Sequence, residues 1–330
     1  MNSSNTSSLE IFENRNWSLL TNIVYIAFGL LGITGNGMVL FVIASVKSLH
    51  DMTNILFVNQ SLIDFTSSVL LVAIFVVPMP PLPTNTVFAR FVCTFWHTQF
   101  LYWVTYAASV VNLTLMALER YLAVVYPIPY RRVSSKVMRV LALIPWVYGC
   151  LHMTYLMTIA RVEDGICYRF HWPNEIMQPA IGIFTFVMLY SGPFGIITAA
   201  YIKIVRTLRQ TPMGGKDEMN STHQKADYRG RARRNVIRTI FTVSVCYCVF
   251  YTPNVTIFVF FCFGGDVDLN GLVYTLTVCI AFINVWINPF VYTFQYRKFQ
   301  QGLKYMCHCR RSSQQSNTTD MYAVETTQSA

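Results

Sequence analysis

The chain has 330 residues, of which 54% are hydrophobic and 15% aromatic while only 12% are charged. A soluble globular domain carries roughly 25% charged residues, so an ordinary soluble fold is excluded and the chain is built for a lipid solvent. The formal net charge of +10 follows from membrane topology, as the placement of the basic residues shows, and does not point to nucleic acid.

Residues 1–18 form a polar tail with acceptor sequons at Asn2, Asn5 and Asn16, which makes this segment the expected site of glycosylation. It lacks a basic region followed by an apolar core and a small-residue cleavage site, so no cleavable signal is expected and the first span is expected to target the chain. The same sequon at Asn59, Asn112, Asn220, Asn254 and Asn317 falls in predicted helices or on the inner side and reads as chance.

Apolar runs long enough to span, at roughly 20 residues per crossing, follow at 19–46, 55–80, 91–126, 137–160, 176–205, 236–263 and 272–294. They are continuous rather than alternating, which argues against a β-barrel. The predicted fold is all-α, a seven-transmembrane helix bundle over 19–294.

Orientation follows from Lys and Arg, which are in excess on cytoplasmic loops. Arg15, Arg90, Arg161 and Arg169 fall on one side and Arg120 at a helix end, whereas the remaining basic residues share the opposite face. The amino terminus is therefore expected outside.

The second run holds Asp64 near its middle, in "SLIDF". A carboxylate at the bilayer centre costs about 2.5–3.5 kcal/mol on insertion scales, so it needs partners or water and is a functional candidate. Of the nine cysteines, only Cys93 and Cys167 lie in segments placed at the outer face. They are expected to form a disulfide rather than remain two free thiols in an oxidising compartment. Cys150, Cys246, Cys248, Cys262 and Cys279 read as small apolar packing residues. Cys307 and Cys309, just after the last span beside basic residues, are expected to be palmitoylated; a metal site on "CHC" is the poorer reading.

Motifs along the chain carry a resemblance. Asn36 stands in "GNGMV", Asn54 in "TNILF", Asp64 in "SLIDF", Glu119–Arg120–Tyr121 in "ERYLAVVYP", then Trp146, Pro193, Tyr201, Pro253 and "NPFVY" from Asn288 to Tyr292. In this order, the chain resembles a rhodopsin-like (class A) G protein-coupled receptor from "GITGNGMVL" to "YRKFQQGLKY". The resemblance implies a plasma-membrane, multi-pass receptor that converts extracellular ligand binding into activation of a heterotrimeric G protein. It implies neither an enzymatic activity nor a covalent cofactor. A membrane-surface amphipathic helix is expected over 295–309 and a disordered cytoplasmic tail over 310–330, Ser/Thr-rich and suited to phosphorylation and arrestin recruitment.

The resemblance also assigns roles. Asp64, Ser109, Asn284 and Asn288 would hold an allosteric sodium ion through oxygen ligands, holding the inactive arrangement until activation lets the sixth and seventh helices move; the plainer alternative is an Asp64 bonded to Asn288 and water, or protonated. Arg120 would anchor the G protein cleft, near Glu119 at rest and released towards Tyr201 and Tyr292 when active. Many members hold this arginine with an acid at the inner end of the sixth helix. Here "RARRNVIR" offers Arg233 and Arg234, which predicts a weak resting clamp and high basal activity.

Departures from the family pattern bear on the ligand. Tyr251 stands where most members have tryptophan, and Tyr247 where phenylalanine is usual. Cys93 is about two residues farther from Arg120 than usual, so the third helix must carry a bulge or begin differently. The position of the amine-receptor aspartate falls on Phe100 or Tyr102, neither able to pair with an ammonium, and the seventh run has no lysine for a retinal Schiff base.

The outer half offers Tyr102, Trp103, Tyr106, Tyr251, Asn254, Phe258, Tyr274 and Phe282, an aromatic and nearly neutral cavity for a neutral small molecule or peptide. Any one of these aromatics is as readily packing as binding. Glu163, Asp164, Glu175, Asp266 and Asp268 surround the mouth; they suit a basic peptide, though singly they read as solvated loop charges. A secondary transporter or other seven-helix protein is the alternative, but repeated halves with broken helices and several buried ionisable groups are not evident, and the six histidines are scattered without a catalytic constellation.

Overall fold

The computed structural model describes residues 3–52, 54–210, 221–269 and 271–306. Among these, seven helical segments are long and apolar enough to cross a membrane: Leu19–Ser45, Asn54–Val76, Phe100–Val125, Ser135–Ile159, Met177–Gln210, Arg234–Cys262 and Leu272–Gln295, here the first to seventh spans. Helical hydrogen bonds satisfy most of the backbone, as hydrocarbon demands, and where Pro289 interrupts the seventh span Asn36 Nδ2 of the first donates to the Val285 carbonyl at 3.0 Å.

Apolar side chains cover the outside of the bundle and also fill most of its core, while polar ones are gathered within that core. Leu30, Phe41, Val140, Leu143 and Leu151 are exposed on the outside, where lipid would meet them. Asn36, Asn59, Gln60, Asp64, Ser109, Asn112, Asn284 and Asn288 are buried inside. Small residues allow close approach between spans. At Gly149 of the fourth span a Cβ would stand 2.4 Å from the Val104 carbonyl oxygen of the third, so this contact requires glycine.

The run at 91–126 is not one helix. A short helix, Thr86–Val92, is capped by Asn85, whose side chain accepts from the Phe88 backbone N–H at 3.0 Å. It passes into a π turn at Cys93–His97 and then breaks at Gln99, whose φ of 60° is left-handed, before the third span starts at Phe100. The wide turn and the break absorb the extra residues between Cys93 and Arg120. A left-handed glutamine is strained by about 1–2 kcal/mol.

Cys93 and Cys167 are joined in a disulfide, with Cα atoms 5.5 Å apart. Cys167 lies in β2 (Ile166–Tyr168), paired antiparallel with β1 (Arg161–Glu163), so the bond ties this hairpin to the head of the third span. At the opposite end, residues 297–306 form a further helix. It is anchored by Lys298 Nζ on Asp51 at 2.6 Å, while Tyr296 at its start donates to Asn54 Oδ1 at 2.7 Å. Asn2, Cys307, Cys309 and the tail 310–330 lie outside the described residues. At Asn5 and Asn16 the backbone is part of the helix Ser3–Ser45.

Candidate functional site

Three regions follow one another through the bundle. The first is a cavity of about 680 Å³ at the disulfide end. Trp103, Tyr106, Asn254, Phe258 and Tyr274 line it, as predicted for ligand contacts. Tyr102, Tyr251 and Phe282 do not. Tyr102 and Phe282 are only 2% and 1% exposed because they pack edge-on with each other and with Phe75, ring centroids 5.0–5.4 Å apart. Tyr251 lies beneath the cavity, edge-on to Tyr106 at 4.6 Å.

The cavity is neutral in sum but carries charges of both signs. Arg169, just after β2, and Asp268, before the seventh span, both contribute to its wall, as do His97 and the strained Gln99. Of the acids predicted around the mouth, Glu163 is paired with Arg161 at 2.7 Å, and only Asp268 lines the cavity. Loop geometry decides this, and it is not legible in residue spacing.

The second region is the polar core around Asp64. Asn288 Nδ2 donates to Asp64 Oδ2 at 2.7 Å and Ser109 Oγ donates to Oδ1 at 3.4 Å. Asn284 instead donates from Nδ2 to the Tyr251 hydroxyl at 3.5 Å, which links the cavity floor to the seventh span. A residue of this core missed from the sequence is Gln60. It lies one turn from Asp64 on the same face, and its Nε2 donates to both Asp64 oxygens at 3.0 and 3.2 Å and to Ser109 Oγ at 2.7 Å.

Behind Gln60 a chain of amides crosses three spans. Trp146 Nε1 donates to Asn59 Oδ1 at 3.0 Å, Asn59 Nδ2 to Asn112 Oδ1 at 2.8 Å, and Asn112 Nδ2 to Gln60 Oε1 at 2.9 Å. Asn59 and Asn112 had matched only a chance sequon. The available signal was the i, i+4 spacing of Gln60 and Asp64, which places them side by side on one helix face.

The oxygen donors suit a hard cation in kind: carboxylate, hydroxyl and amide oxygens meet here, and Asn284 Oδ1 and Asn288 Oδ1 are buried without a hydrogen-bond partner among the described residues. The Gln60 amide, however, occupies the Asp64 and Ser109 oxygens that such an ion would need.

The third region is the Arg120 end. Arg120 and Glu119 are buried and form an ion pair, and the Tyr130 hydroxyl donates to the same carboxylate. Tyr201 and Tyr292, the predicted partners of released Arg120, have buried hydroxyls with no hydrogen-bond partner among the described residues. Their rings pack edge-on against Phe241 and Phe57 at 5.0 and 5.1 Å. The Arg233 side chain lies outside the described residues, and Arg234 is exposed.

Comparison with known proteins agrees with this anatomy. The chain is 26% identical to galanin receptor 2b of Danio rerio over 324 residues, covering 94% of this chain and 80% of that receptor. It is 27% identical to chemokine XC receptor 1 of Homo sapiens over 306 residues, covering 89% and 84% respectively. It is 25% identical to G-protein coupled receptor 54 of Oreochromis niloticus over 286 residues, covering 83% and 74%. Residues 35–292 match the family described as 7 transmembrane receptor (rhodopsin family). The chain is a member of that family, a multi-pass membrane receptor of the G protein-coupled class.

Proposed function

We propose that this receptor binds an extracellular peptide, with the amino terminus outside the plasma membrane, and passes the signal to a heterotrimeric G protein. The observation that carries the reading is the cavity, with aromatic walls of Trp103, Tyr106 and Phe258 and charges of both signs, Arg169 and Asp268, in its lining. Its volume is within the roughly 300–1,000 Å³ of small-molecule sites, enough for the last few residues of a peptide but not a whole one. An aromatic peptide end would fill the floor while Arg169 and Asp268 meet the charged terminus or charged side chains of the peptide. The similarity to galanin and chemokine receptors supports a peptide over a neutral small molecule.

The route inward runs from Tyr106 to Tyr251 and from Tyr251 to Asn284. A ligand pressing on Tyr106 would shift the Tyr251 ring, and a ligand that favours the shifted packing biases the bundle towards it. At the far end, release of Arg120 from Glu119 would open the cleft for the G protein; arrestin would follow on a phosphorylated tail. A sodium ion bound at Asp64, Ser109, Asn284 and Asn288 would supply positive charge that holds the resting arrangement. Glycans at Asn2, Asn5 and Asn16 and palmitates at Cys307 and Cys309 belong to the same proposal.

The test is nucleotide exchange on a G protein added to the purified receptor, screened against fractionated peptide extracts and a neutral small-molecule set. A peptide fraction should activate, with potency reduced by Arg169→Ala and by Tyr106→Ala. Full activation by a neutral small molecule whose potency ignores Arg169 and Asp268, with every peptide fraction silent, would overturn the reading.

A further inference from the structure

From the polarity of the amide chain we infer that Gln60 is a tethered competitor of sodium at Asp64, a residue that sets how strongly this receptor responds to the ion. The inference rests on the proposed ion site. The argument starts at Trp146, whose indole N–H can only donate. It therefore turns the oxygen of Asn59 towards itself, and the Asn59 amide nitrogen towards Asn112. Asn112 must then accept through its oxygen and donate onward to Gln60 Oε1, a donation its nitrogen shares with the Leu56 carbonyl at 3.1 Å. With its oxygen so engaged, Gln60 has only N–H groups left to present at Asp64 and Ser109.

Rotating the Gln60 amide by half a turn would set its oxygen against a carboxylate and its nitrogen against the Asn112 nitrogen. Both contacts repel, so the chain of three amides locks the donor face in place. The positive end of the amide dipole then touches the same oxygens a sodium ion would use. An ion entering here must displace hydrogen bonds to both Asp64 oxygens and to Ser109 Oγ and strand a buried amide, a loss that a site without Gln60 does not incur. A muted sodium response is the consequence, and it originates two spans away at Trp146.

The experiment uses the full chain purified in detergent, with the thermal unfolding midpoint measured in sodium chloride and in potassium chloride at equal ionic strength. Ion binding to the folded state raises this midpoint by mass action, without need of a ligand. Gln60→Leu removes the competing donors, and Asn112 retains Leu56 as an acceptor. The sodium-over-potassium rise should be larger in Gln60→Leu than in the wild type by about twofold or more. It should disappear when Asp64→Asn is added. Trp146→Phe, which frees the amide chain to reverse, should move the response in the same direction by less. Should Gln60→Leu fail to fold, Gln60→Met keeps the length and removes the donors, and the same increase is expected of it. A rise in the wild type as large as in the folded Gln60 variant would overturn the competitor while leaving the ion site standing. Absence of any sodium-specific rise in the folded variants would remove the ion site and the inference with it.

Discussion

Asn235, at the start of the sixth span, grips the last turn of the seventh at Gln295. Its Nδ2 donates to the Gln295 carbonyl oxygen at 2.5 Å, and its Oδ1 accepts from the backbone N–H of Arg297 at 2.9 Å. Two turns farther along, Thr242 Oγ1 donates to Gln295 Oε1 at 3.0 Å. The sixth span is thus tied to the seventh where many relatives of the class tie it to the third through an acid.

This latch must open if the two spans separate on activation, so it holds the resting state. Removing both side-chain bonds with Asn235→Ala should shift the equilibrium by about 1–2 kcal/mol, a roughly 5- to 30-fold increase in the active-to-resting ratio. Thr242→Val should do the same to a smaller extent. Second-messenger output without ligand, at matched surface levels, is the measurement. Unchanged output in both variants would mean that the latch does not oppose opening. The basal output expected from Arg233 and Arg234, basic residues where many members of the family carry an acid, is the baseline against which the rise is read, and Arg233→Glu should lower it.

The seven spans were legible because hydrocarbon demands long apolar runs and leaves little freedom in where they lie. The Cys93–Cys167 pair was legible for a similar reason: topology left no other cysteine at the outer face. What a sequence pattern does not separate is an aromatic that lines a cavity from one that packs beside it. Trp103 and Tyr102 are neighbours on one helix, yet one faces the cavity and the other is buried against Phe75 and Phe282. The charges Arg169 and Asp268 reach the cavity through loop geometry, and loops have no periodicity to read. Gln60, Asn59 and Asn112 were overlooked because single amides in apolar runs look alike until partners on other spans are known.

The disulfide should matter for the architecture around the cavity. It closes a loop across a sequence separation of 74 residues and fastens the β1–β2 hairpin, including the run up to Arg169, beside the cavity. Cys93→Ser and Cys167→Ser should each destabilise by about 2–5 kcal/mol and reduce surface expression to a similar degree, since either removes the same bond. Mass spectrometry of the purified protein should find neither thiol free. A variant pair with very different expression, or free thiols in the wild type, would contradict this.

Tyr251 offers a separation of binding from signalling. Its ring supports Tyr106 from below, whereas its hydroxyl reaches Asn284. Tyr251→Phe keeps the ring and removes the hydroxyl, so ligand affinity should change by less than about twofold, while maximal nucleotide exchange falls several-fold through the lost link, worth about 1 kcal/mol. Tyr251→Ala should reduce both, because the support under Tyr106 is lost. Equal maximal exchange in wild type and Tyr251→Phe would show that the signal does not use this hydroxyl.

Arg120 is held by a carboxylate that serves two partners. Glu119 accepts from the guanidinium and from the Tyr130 hydroxyl, and Tyr130 ends a short helix, Pro127–Tyr130, that starts two residues after the third span. The proline at its first position presets the backbone angle for this turn, which brings the tyrosine back over the ion pair. All three groups are sheltered enough for their hydrogen bonds to be charge-assisted and strong. Tyr130→Phe removes one donor from Glu119. The carboxylate then relies on Arg120 alone, which strengthens that pair electrostatically but leaves it free to pivot. If positioning dominates, basal output rises; if the tighter pair dominates, it falls. The geometry favours positioning, because Arg120 and Glu119 are adjacent in sequence and cannot be fixed by the helix backbone alone. The expected result is a rise of about threefold to tenfold in ligand-independent nucleotide exchange, equivalent to roughly 0.7–1.4 kcal/mol. Glu119→Gln, which removes the charge and leaves an amide in the same place, should raise it further. A fall in both variants at matched receptor density would show that Tyr130 and Glu119 support the active cleft instead of restraining Arg120.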